Sequence, residues 1–178
     1  MLAGMTRHLL FPTMMGACGI VWADDNVAAF ALPREPSPRP EKHLVGHVRD
    51  AATHAVPAWV HAIVARVQAH FAGDLQDFSD VVLDWSRVSD FQQAVYRHTQ
   101  AVKPGHTTSY GEIARRMALP PAGARAVGVA LASNPWPLLV PCHRVIAADG
   151  KMTGFSGPGG VRTKTRLLAL EGAELLSE

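Results

Sequence analysis

The 178-residue sequence predicts an α+β fold in two parts. Near the N-terminus, two apolar stretches flank a short polar turn, which is typical of an antiparallel hairpin. After Pro57, apolar residues recur every four positions, which indicates an amphipathic helix. From Ser89 onward the chain changes to short helices with polar starts. We therefore predict a small N-terminal α+β domain with antiparallel strands over residues 1–88 and a mainly helical C-terminal domain over residues 89–178.

The first predicted element is a strand from Met14 to Trp22. It turns at Ala23–Asn26 into a second strand, Val27 to Leu32. The stretch from Leu9 to Ala23 also resembles a short signal peptide, because it is apolar and follows an arginine. One proline and two glycines within it suit an export helix poorly, so the strand interpretation is favoured.

The next segment, Pro33 to Lys42, is rich in proline and charge and is predicted to be an exposed loop. Pro57 then opens a helix at its first position, and Gly73 ends it. Its apolar stripe consists of Trp59, Val60, Ile63, Val64, Val67 and Phe71. We predict that this helix packs on the core and carries no catalytic group.

Two features close the N-terminal part. Val81 to Leu83 is apolar and β-prone, and is predicted to be a further strand. His61 and His70 are expected at the surface or at the edge of the core, because nothing in the sequence around them indicates a ligand or catalytic role.

Three helices follow in the C-terminal part. Ser89 and Gln92 form a capping box that opens a helix through Ala101, with Phe91, Ala94 and Val95 facing inward. Ser109 and Glu112 offer a second box for a short helix to about Leu119. After Pro120-Pro121, the next helix runs from Ala122 to Ser133. Two short helices with a tight connection have the outline of a helix-turn-helix unit.

The second helix of this pair is built from small residues. Ala122, Ala126 and Ala130 share a face, Gly128 lies beside them, and Arg125 is the only charge. Such a helix can approach a nucleic-acid groove closely with few base-reading side chains. The same face would also suit packing on a neighbouring helix, so both interpretations stay open.

Charge is distributed unevenly along the chain. Residues 1–90 hold 7 basic and 10 acidic residues, whereas residues 91–178 hold 10 and 5, so the two halves carry −3 and +5. A basic C-terminal half favours an anionic partner such as nucleic acid. No apolar run reaches the ~18 residues of a membrane span. Two cysteines in unlike settings favour a reducing compartment over a disulfide framework.

The chemically informative segment is Pro141-Cys142-His143-Arg144-Val145. Prolines make the approach to it extended, so Cys142 lies where an apolar run meets a turn. A thiol is nucleophilic only as thiolate, and its unperturbed pKa is about 8.5. A base beside it changes its ionisation, and histidine is the side chain best matched to neutral pH. The alternative is a small buried hydrophobe next to a loop histidine.

Taken together, these features resemble the O6-alkylguanine-DNA alkyltransferases, the methylated-DNA–protein-cysteine methyltransferase family. The resemblance covers essentially all of residues 89–178, in the family's order. It is carried by Phe91-Gln92, Thr108-Ser109-Tyr110-Gly111, Arg125-Ala126-Val127-Gly128, Asn134-Pro135, Pro141-Cys142-His143-Arg144-Val145, Gly154-Phe155-Ser156-Gly157 and Leu167-Leu168-Ala169-Leu170-Glu171-Gly172. Residues 1–88 match only in layout, and the resemblance implies a ribonuclease H-like domain there and a winged helix-turn-helix-like unit in the C-terminal domain.

The resemblance implies a set of catalytic residues. Cys142 would accept the alkyl group, and His143, acting through a water and the carboxylate of Glu171, would draw off the thiol proton. Asn134 would brace the turn that holds Cys142. Tyr110 would donate a hydrogen bond to the base as negative charge develops on it.

It also implies a substrate pocket and a DNA-contacting helix. Ser156 would be a second donor, Gly157 belongs to the same pocket loop, and the Val145 carbonyl would accept from the amino group of the base. Arg125 would replace the flipped nucleotide in the base stack. The helix residues expected at the minor groove are Ala126, Gly128 and Ala130, together with Arg125 and Tyr110. Arg115, Arg116 and Lys164 are candidates for phosphate contacts or for ordinary solvated charges.

The implied reaction fixes several further expectations. A thioether is not hydrolysed under mild conditions, and no second nucleophile is evident, so the protein would repair one lesion and be consumed. We expect no cofactor, no metal, no membrane partner, a monomer, and a cytoplasmic location, with double-stranded DNA containing O6-alkylguanine as the partner.

Three details depart from the family pattern. Tyr96 stands where the family usually has Trp, Trp136 stands where a small aliphatic residue is common, and the loop after Ser156 carries extra residues, including Pro158. None removes a chemical group, so they bear on the range of alkyl groups accepted.

Other functions remain as alternatives at this stage. An alkyltransferase-like binding protein would keep the groove helix but lack the reactive cysteine, which Cys142 argues against. A Cys-His hydrolase normally draws its two residues from distant parts of the sequence. A zinc site lacks paired ligand spacing. A purely transcriptional helix-turn-helix protein would leave Cys142, His143 and Glu171 unexplained.

Overall fold

The computed structural model describes residues 6–33, 55–152 and 154–173. Its N-terminal sheet has three antiparallel strands in the order β1-β2-β3: β1 (Arg7–Thr13), β2 (Gly16–Ala23) and β3 (Asn26–Ala31). The hairpin predicted from residue 14 to residue 32 is therefore present, and a strand that we had not predicted precedes it. Pro12 fits β1 because this is an edge strand of the sheet.

Helix α1 (Ala58–Phe71) covers this sheet with the predicted apolar stripe, and Val60, Val67 and Phe71 are buried. The predicted strand at Val81–Leu83 is wrong as an element, because it is reduced to a single bridge between Leu83 and Val27. The predicted exposed loop over residues 33–42 lies outside the described residues, apart from Pro33.

The C-terminal helices lie close to their predicted positions. They are α2 (Asp90–Gln100), α3 (Tyr110–Arg116), α4 (Gly123–Ala132) and α5 (Val161–Leu170). Two short strands, β4 (Thr108–Ser109) and β5 (Val145–Ile146), pair in parallel between them. A 3-10 turn over Cys142–Arg144 precedes β5.

The capping predictions were partly right. The Ser89–Gln92 capping box is complete. Ser109 caps α3 by accepting from the Glu112 N–H, but the Glu112 carboxylate binds Arg115 and Arg116 instead of closing the box. Phe91 is 37% exposed, which contradicts its predicted inward position.

Helices α3 and α4 pack against each other, and their assignment as a helix-turn-helix unit stays a prediction. A side chain at Gly123 would place its Cβ 2.6 Å from Cβ of Leu119, so only glycine permits this close approach. A wing is still a prediction, as is the division of the chain after residue 88. The hydrophobic core itself is continuous from the N-terminal sheet to α5.

Trp136 joins the segment before Cys142 to the N-terminal sheet. Its side chain is fully buried, its Nε1–H donates to the Val27 carbonyl at 2.9 Å, and its ring meets those of Trp85 and Tyr96 edge to face. Next to it, the Pro135 carbonyl accepts from the Phe30 N–H at 2.9 Å. The edge of β3 therefore anchors the segment before Cys142.

We expect Trp136→Phe to lower the free energy of unfolding by about 1–2 kcal/mol, through one lost hydrogen bond and looser packing. The loss is moderate because the Val27 carbonyl also accepts from the Asp84 N–H. Urea unfolding measures it, with Trp85→Phe, at a partly exposed ring, as the control. Equal losses in both variants would contradict an anchoring role for Trp136.

Candidate active site

Cys142 begins the 3-10 turn directly after the extended segment, and it is 8% exposed. The Asn134 side chain forms hydrogen bonds with the backbone of this segment. Its Nδ2 donates to the Val140 carbonyl at 2.9 Å, and its Oδ1 accepts from the Trp136 N–H at 3.0 Å. The Cys142 N–H also donates to Val140 at 2.8 Å. The backbone on either side of the thiol is therefore fixed.

The environment of Cys142 favours the protonated thiol. Burial raises its pKa above the ordinary value, and a hydrogen bond from Asn134 and the positive charge of Lys164 only partly oppose this. The thiol is thus neutral at physiological pH, and nucleophilic attack requires a group that removes its proton.

His143, the next residue, is the candidate for such a group. Its Nε2 lies 2.9 Å from Oε1 of Glu171, and the ring is fully buried. Because a carboxylate only accepts, Nε2 carries the proton and Nδ1 presents a free lone pair. Nδ1 is buried and makes no hydrogen bond among the described residues. Burial lowers the pKa of His143, with Glu171 acting in the opposite direction, so the free ring is a neutral base.

Glu171 collects more donors than the sequence indicated. Arg144 donates to it twice, from Nε to Oε2 at 2.9 Å and from Nη2 to Oε1 at 2.8 Å, and His70 Nε2 lies 3.1 Å from Oε1. Burial acts to raise the pKa of Glu171, but the hydrogen bonds from His143, His70 and Arg144 outweigh it and hold the pKa far below its ordinary value. The carboxylate is therefore ionised at neutral pH.

Arg144 had no predicted role. His70 was predicted at the surface or at the edge of the core, and this is wrong because its side chain is fully buried. A signal for His70 was available, because it follows Val67 by three positions and precedes Phe71 on the buried stripe of α1. A histidine on such a stripe needs polar partners.

Lys164 is a correction to the sequence analysis. It is fully buried and does not face solvent or a phosphate. Its Nζ donates to the Val145 carbonyl at 2.6 Å and lies 3.4 Å from the Gly154 carbonyl and 3.5 Å from the Tyr110 hydroxyl. Burial lowers the pKa of Lys164 and raises that of Tyr110. The Val145 carbonyl, expected to accept from the base, thus already accepts a hydrogen bond from Lys164.

A pocket of about 440 Å³ opens beside the thiol. It is lined by Tyr110, Gly128, Leu131, Ala132, Cys142, Gly154, Phe155 and Ser156. The Gly128 Cα faces the Tyr110 ring, where a Cβ would lie 3.8 Å from the ring atoms. The fold therefore brings predicted pocket and helix residues to one cavity. Gly157 and Pro158 instead line a second cavity of about 350 Å³, which also reaches Cys142 and Ser156.

The outer face of α4 presents part of the predicted DNA-contacting set. Arg125 and Ala126 are exposed, and so is Val129, which was not in that set. Ala130 is 4% exposed, and its carbonyl accepts from the Tyr96 hydroxyl at 2.7 Å. Ala130 thus belongs to the core, which corrects its predicted place at the groove. Arg115 and Arg116 are exposed but are paired with Glu112.

Two absences hold for the described part of the chain. No group of three or more His, Cys, Asp or Glu side chains is placed to hold a metal ion. Among the same residues, no helix is long and apolar enough to cross a membrane.

Comparison with known proteins points to one family. Residues 90–173 match the family model described as 6-O-methylguanine DNA methyltransferase, DNA binding domain. A methylated-DNA–protein-cysteine methyltransferase of Mycolicibacterium paratuberculosis is 51% identical over 108 residues, which cover 61% of this chain and 62% of that protein. The methylated-DNA–protein-cysteine methyltransferase of Methanothermobacter thermautotrophicus is 33% identical over 157 residues, which cover 88% of this chain and 80% of the relative.

A protein of Thermus thermophilus named a DNA base-flipping protein is 47% identical over 107 residues, covering 60% of this chain and 69% of the relative. The crystal structure of Mycobacterium tuberculosis O6-methylguanine methyltransferase superimposes with a TM-score of 0.74 at 35% identity, covering 94% of this chain and 93% of that one. The crystal structure of M. tuberculosis OGT in complex with DNA superimposes with a TM-score of 0.72 at 35% identity, covering 93% of this chain and 92% of that one.

We expect Glu171→Gln to lower the free energy of unfolding at pH 7 by about 3–5 kcal/mol, because Arg144 keeps a buried charge without its partner. A lowered carboxyl pKa stabilises the fold above the ordinary pKa of 4.5, and this contribution is lost as the pH falls through the native value. The difference between wild type and variant should therefore be largest above about pH 4.5 and shrink below it.

Urea unfolding at a series of pH values measures this difference. Glu112→Gln is the matched control, since that carboxylate also binds two arginines but lies at the surface, where ion pairs contribute little. If the difference in unfolding free energy between wild type and Glu171→Gln did not depend on pH, the assignment of a buried ionised carboxylate would be contradicted.

Proposed function

This chain belongs to the family of methylated-DNA–protein-cysteine methyltransferases, and on that premise we propose that it repairs DNA by moving the alkyl group of O6-alkylguanine onto Cys142. The observation that carries the proposal is the position of Cys142. The thiol lies beside a pocket that also contains Tyr110 and Ser156, and next to a neutral histidine fixed by a buried carboxylate.

The first step is removal of the thiol proton. His143 Nδ1 takes it, through a bridging water, and the resulting imidazolium is stabilised by the ionised Glu171 at 2.9 Å. This arrangement compensates for the burial that raises the pKa of Cys142. Thiolate therefore forms when a substrate is in place and is not stored in the free protein.

The second step is displacement at carbon. The Cys142 sulfur forms a bond to the alkyl carbon as the bond from that carbon to O6 of guanine breaks, and the electron pair leaves with the base. Tyr110 donates its hydroxyl proton to the departing guanine, and Lys164, 3.5 Å from that oxygen, stabilises the tyrosinate. The proton held by His143 passes to solvent and the tyrosinate recovers one, so the net change is exchange of an alkyl group for a proton.

DNA is the partner of this domain, and the proposed approach is through α4. Its exposed small residues permit close contact with the minor groove, and Arg125 enters the base stack where the damaged nucleotide has turned out. The second cavity beside Cys142, bounded by Pro137 and Pro158, gives room for alkyl groups larger than methyl.

The product is a thioether on Cys142, and a thioether is not hydrolysed under mild conditions. We propose a single turnover for each molecule, with no cofactor, by a monomer in the cytoplasm. The two free cysteines agree with a reducing location.

A second candidate function is binding of damaged bases without chemistry. Its specific support is the similarity to a protein named for base flipping. The two functions differ in their product, because only alkyl transfer changes the covalent mass of the protein.

Incubation with duplex DNA containing O6-methylguanine should raise the intact mass of the protein by one CH2, with the modification on the Cys142 peptide. The amount transferred should plateau at one group per protein molecule. Cys142→Ser is the direct test and should give no transfer, while Cys18→Ser serves as the control for the other thiol. Unmodified Cys142 after prolonged incubation would favour the binding protein, and a continuing steady rate would contradict single turnover.

Arg125→Ala should slow transfer from duplex DNA by about 100-fold, because extrusion of a base costs a few kcal/mol. Transfer from the free base O6-benzylguanine should change by less than about twofold, since no stack has to be opened. Single-turnover kinetics with both substrates measure the ratio, and Arg87→Ala, at an exposed ion pair in the N-terminal part, is the control. Equal slowing with both substrates would place Arg125 in chemistry or folding, not in extrusion.

A further inference from the structure

The imidazole of His70 lies against Glu171, although it belongs to α1 and not to the segment around Cys142. Its Nε2 is 3.1 Å from Oε1 of Glu171, and the side chain is fully buried. The rings of Phe71 and Phe78 lie beside it, with centroids 5.9 and 5.6 Å away. A polar ring in such an apolar place is tolerated only when its nitrogens are hydrogen-bonded, so each contact is informative.

The contacts of His70 fix its tautomer. The backbone N–H of Gln76 donates to Nδ1 at 3.0 Å. A nitrogen that accepts a hydrogen bond carries no proton, so the proton of the neutral ring is on Nε2 and points at Glu171. His70 is therefore a donor to the carboxylate and is held in that role by the turn after α1.

The oxygen that receives this bond is the one used by His143. Oε1 of Glu171 accepts from His70, His143 and Arg144 at 3.1, 2.9 and 2.8 Å. Arg144 also holds Oε2, so it fixes the plane of the carboxylate, and His70 supports Oε1 from the N-terminal part. Without His70, Oε1 would lose one of these three donors.

We propose that His70 is a positioning residue for alkyl transfer, which holds Glu171 Oε1 in line with His143 and so makes the N-terminal part a contributor to the active site. This inference rests on the proposed function for its main readout. It assigns a role in the reaction to a helix that otherwise only packs on the sheet.

Two near-isosteric substitutions separate this role from a structural one. In His70→Gln the side-chain amide nitrogen takes the place of Nε2 and keeps the donor to Glu171, while the acceptor for Gln76 is lost. In His70→Asn the side-chain oxygen takes the place of Nδ1 and keeps the bond from Gln76, while the donor is lost. We expect transfer within about twofold of wild type for Gln and about tenfold slower for Asn, with equal DNA affinity for both.

Single-turnover kinetics at saturating DNA give the rate constant from the exponential and the active fraction from its amplitude. A misfolded portion lowers the amplitude and leaves the rate constant of the folded portion intact. An Asn rate equal to wild type, equal losses in both variants, or a Gln variant slower than Asn would each overturn the proposal. The last result would mean that His70 serves the turn at Gln76.

A second readout needs no DNA. Iodoacetamide modification of Cys142, followed by peptide mass, is slow in the free protein, and its rate reports the small fraction of thiolate that His143 produces there. We expect the same order, with Gln near wild type and Asn slower. If wild type transfers no alkyl group, the proposed function fails while this order still tests His70. If wild type transfers normally and the Asn variant matches it in both assays, the His70 inference fails and the function stands.

Discussion

The buried carboxylate of Glu171 is the constraint on which the arrangement of the site depends. It lies at the end of α5 and binds His70 from α1 together with His143 and Arg144 from the turn after Cys142. A carboxylate in the interior is costly unless its lone pairs are filled and its charge is balanced, and Arg144 does both. Three segments far apart in sequence must therefore meet at one point, and the thiol is placed as a consequence.

This balance leaves the catalytic groups without net charge. Glu171 and Arg144 cancel, burial keeps His143 unprotonated, and burial raises the pKa of Cys142. A neutral thiol reacts slowly with solvent oxidants and with small electrophiles, which would protect a cysteine that, in the proposed mechanism, reacts only once. In the proposed mechanism the thiol becomes reactive only in the complex with DNA, where His143 and Tyr110 act on the same substrate.

The sequence was sufficient where local rules decide the structure. Capping at Ser89, the stripe of α1 and the small residues of α4 each follow from patterns within a few turns of chain. It was insufficient where partners are distant. Burial of Lys164 and the contact between His70 and Glu171, 101 positions apart, depend on how helices stack, and no periodicity encodes that. Strand β1 was missed because Pro12 is compatible with a strand only at a sheet edge.

The two aromatic departures from the family pattern are best understood as one change. Where a Trp is usual, Tyr96 is smaller, and its hydroxyl reaches the Ala130 carbonyl of α4 at 2.7 Å. Where a small aliphatic residue is usual, Trp136 fills the space against Tyr96, with ring centroids 6.1 Å apart, and adds a hydrogen bond to β3. The smaller side chain at Tyr96 is thus offset by the larger side chain at Trp136. The exchange links α4, the cysteine segment and the N-terminal sheet through side chains that are fully buried. It therefore ties the segment before Cys142 to its neighbours and leaves Cys142, His143 and Glu171 unchanged.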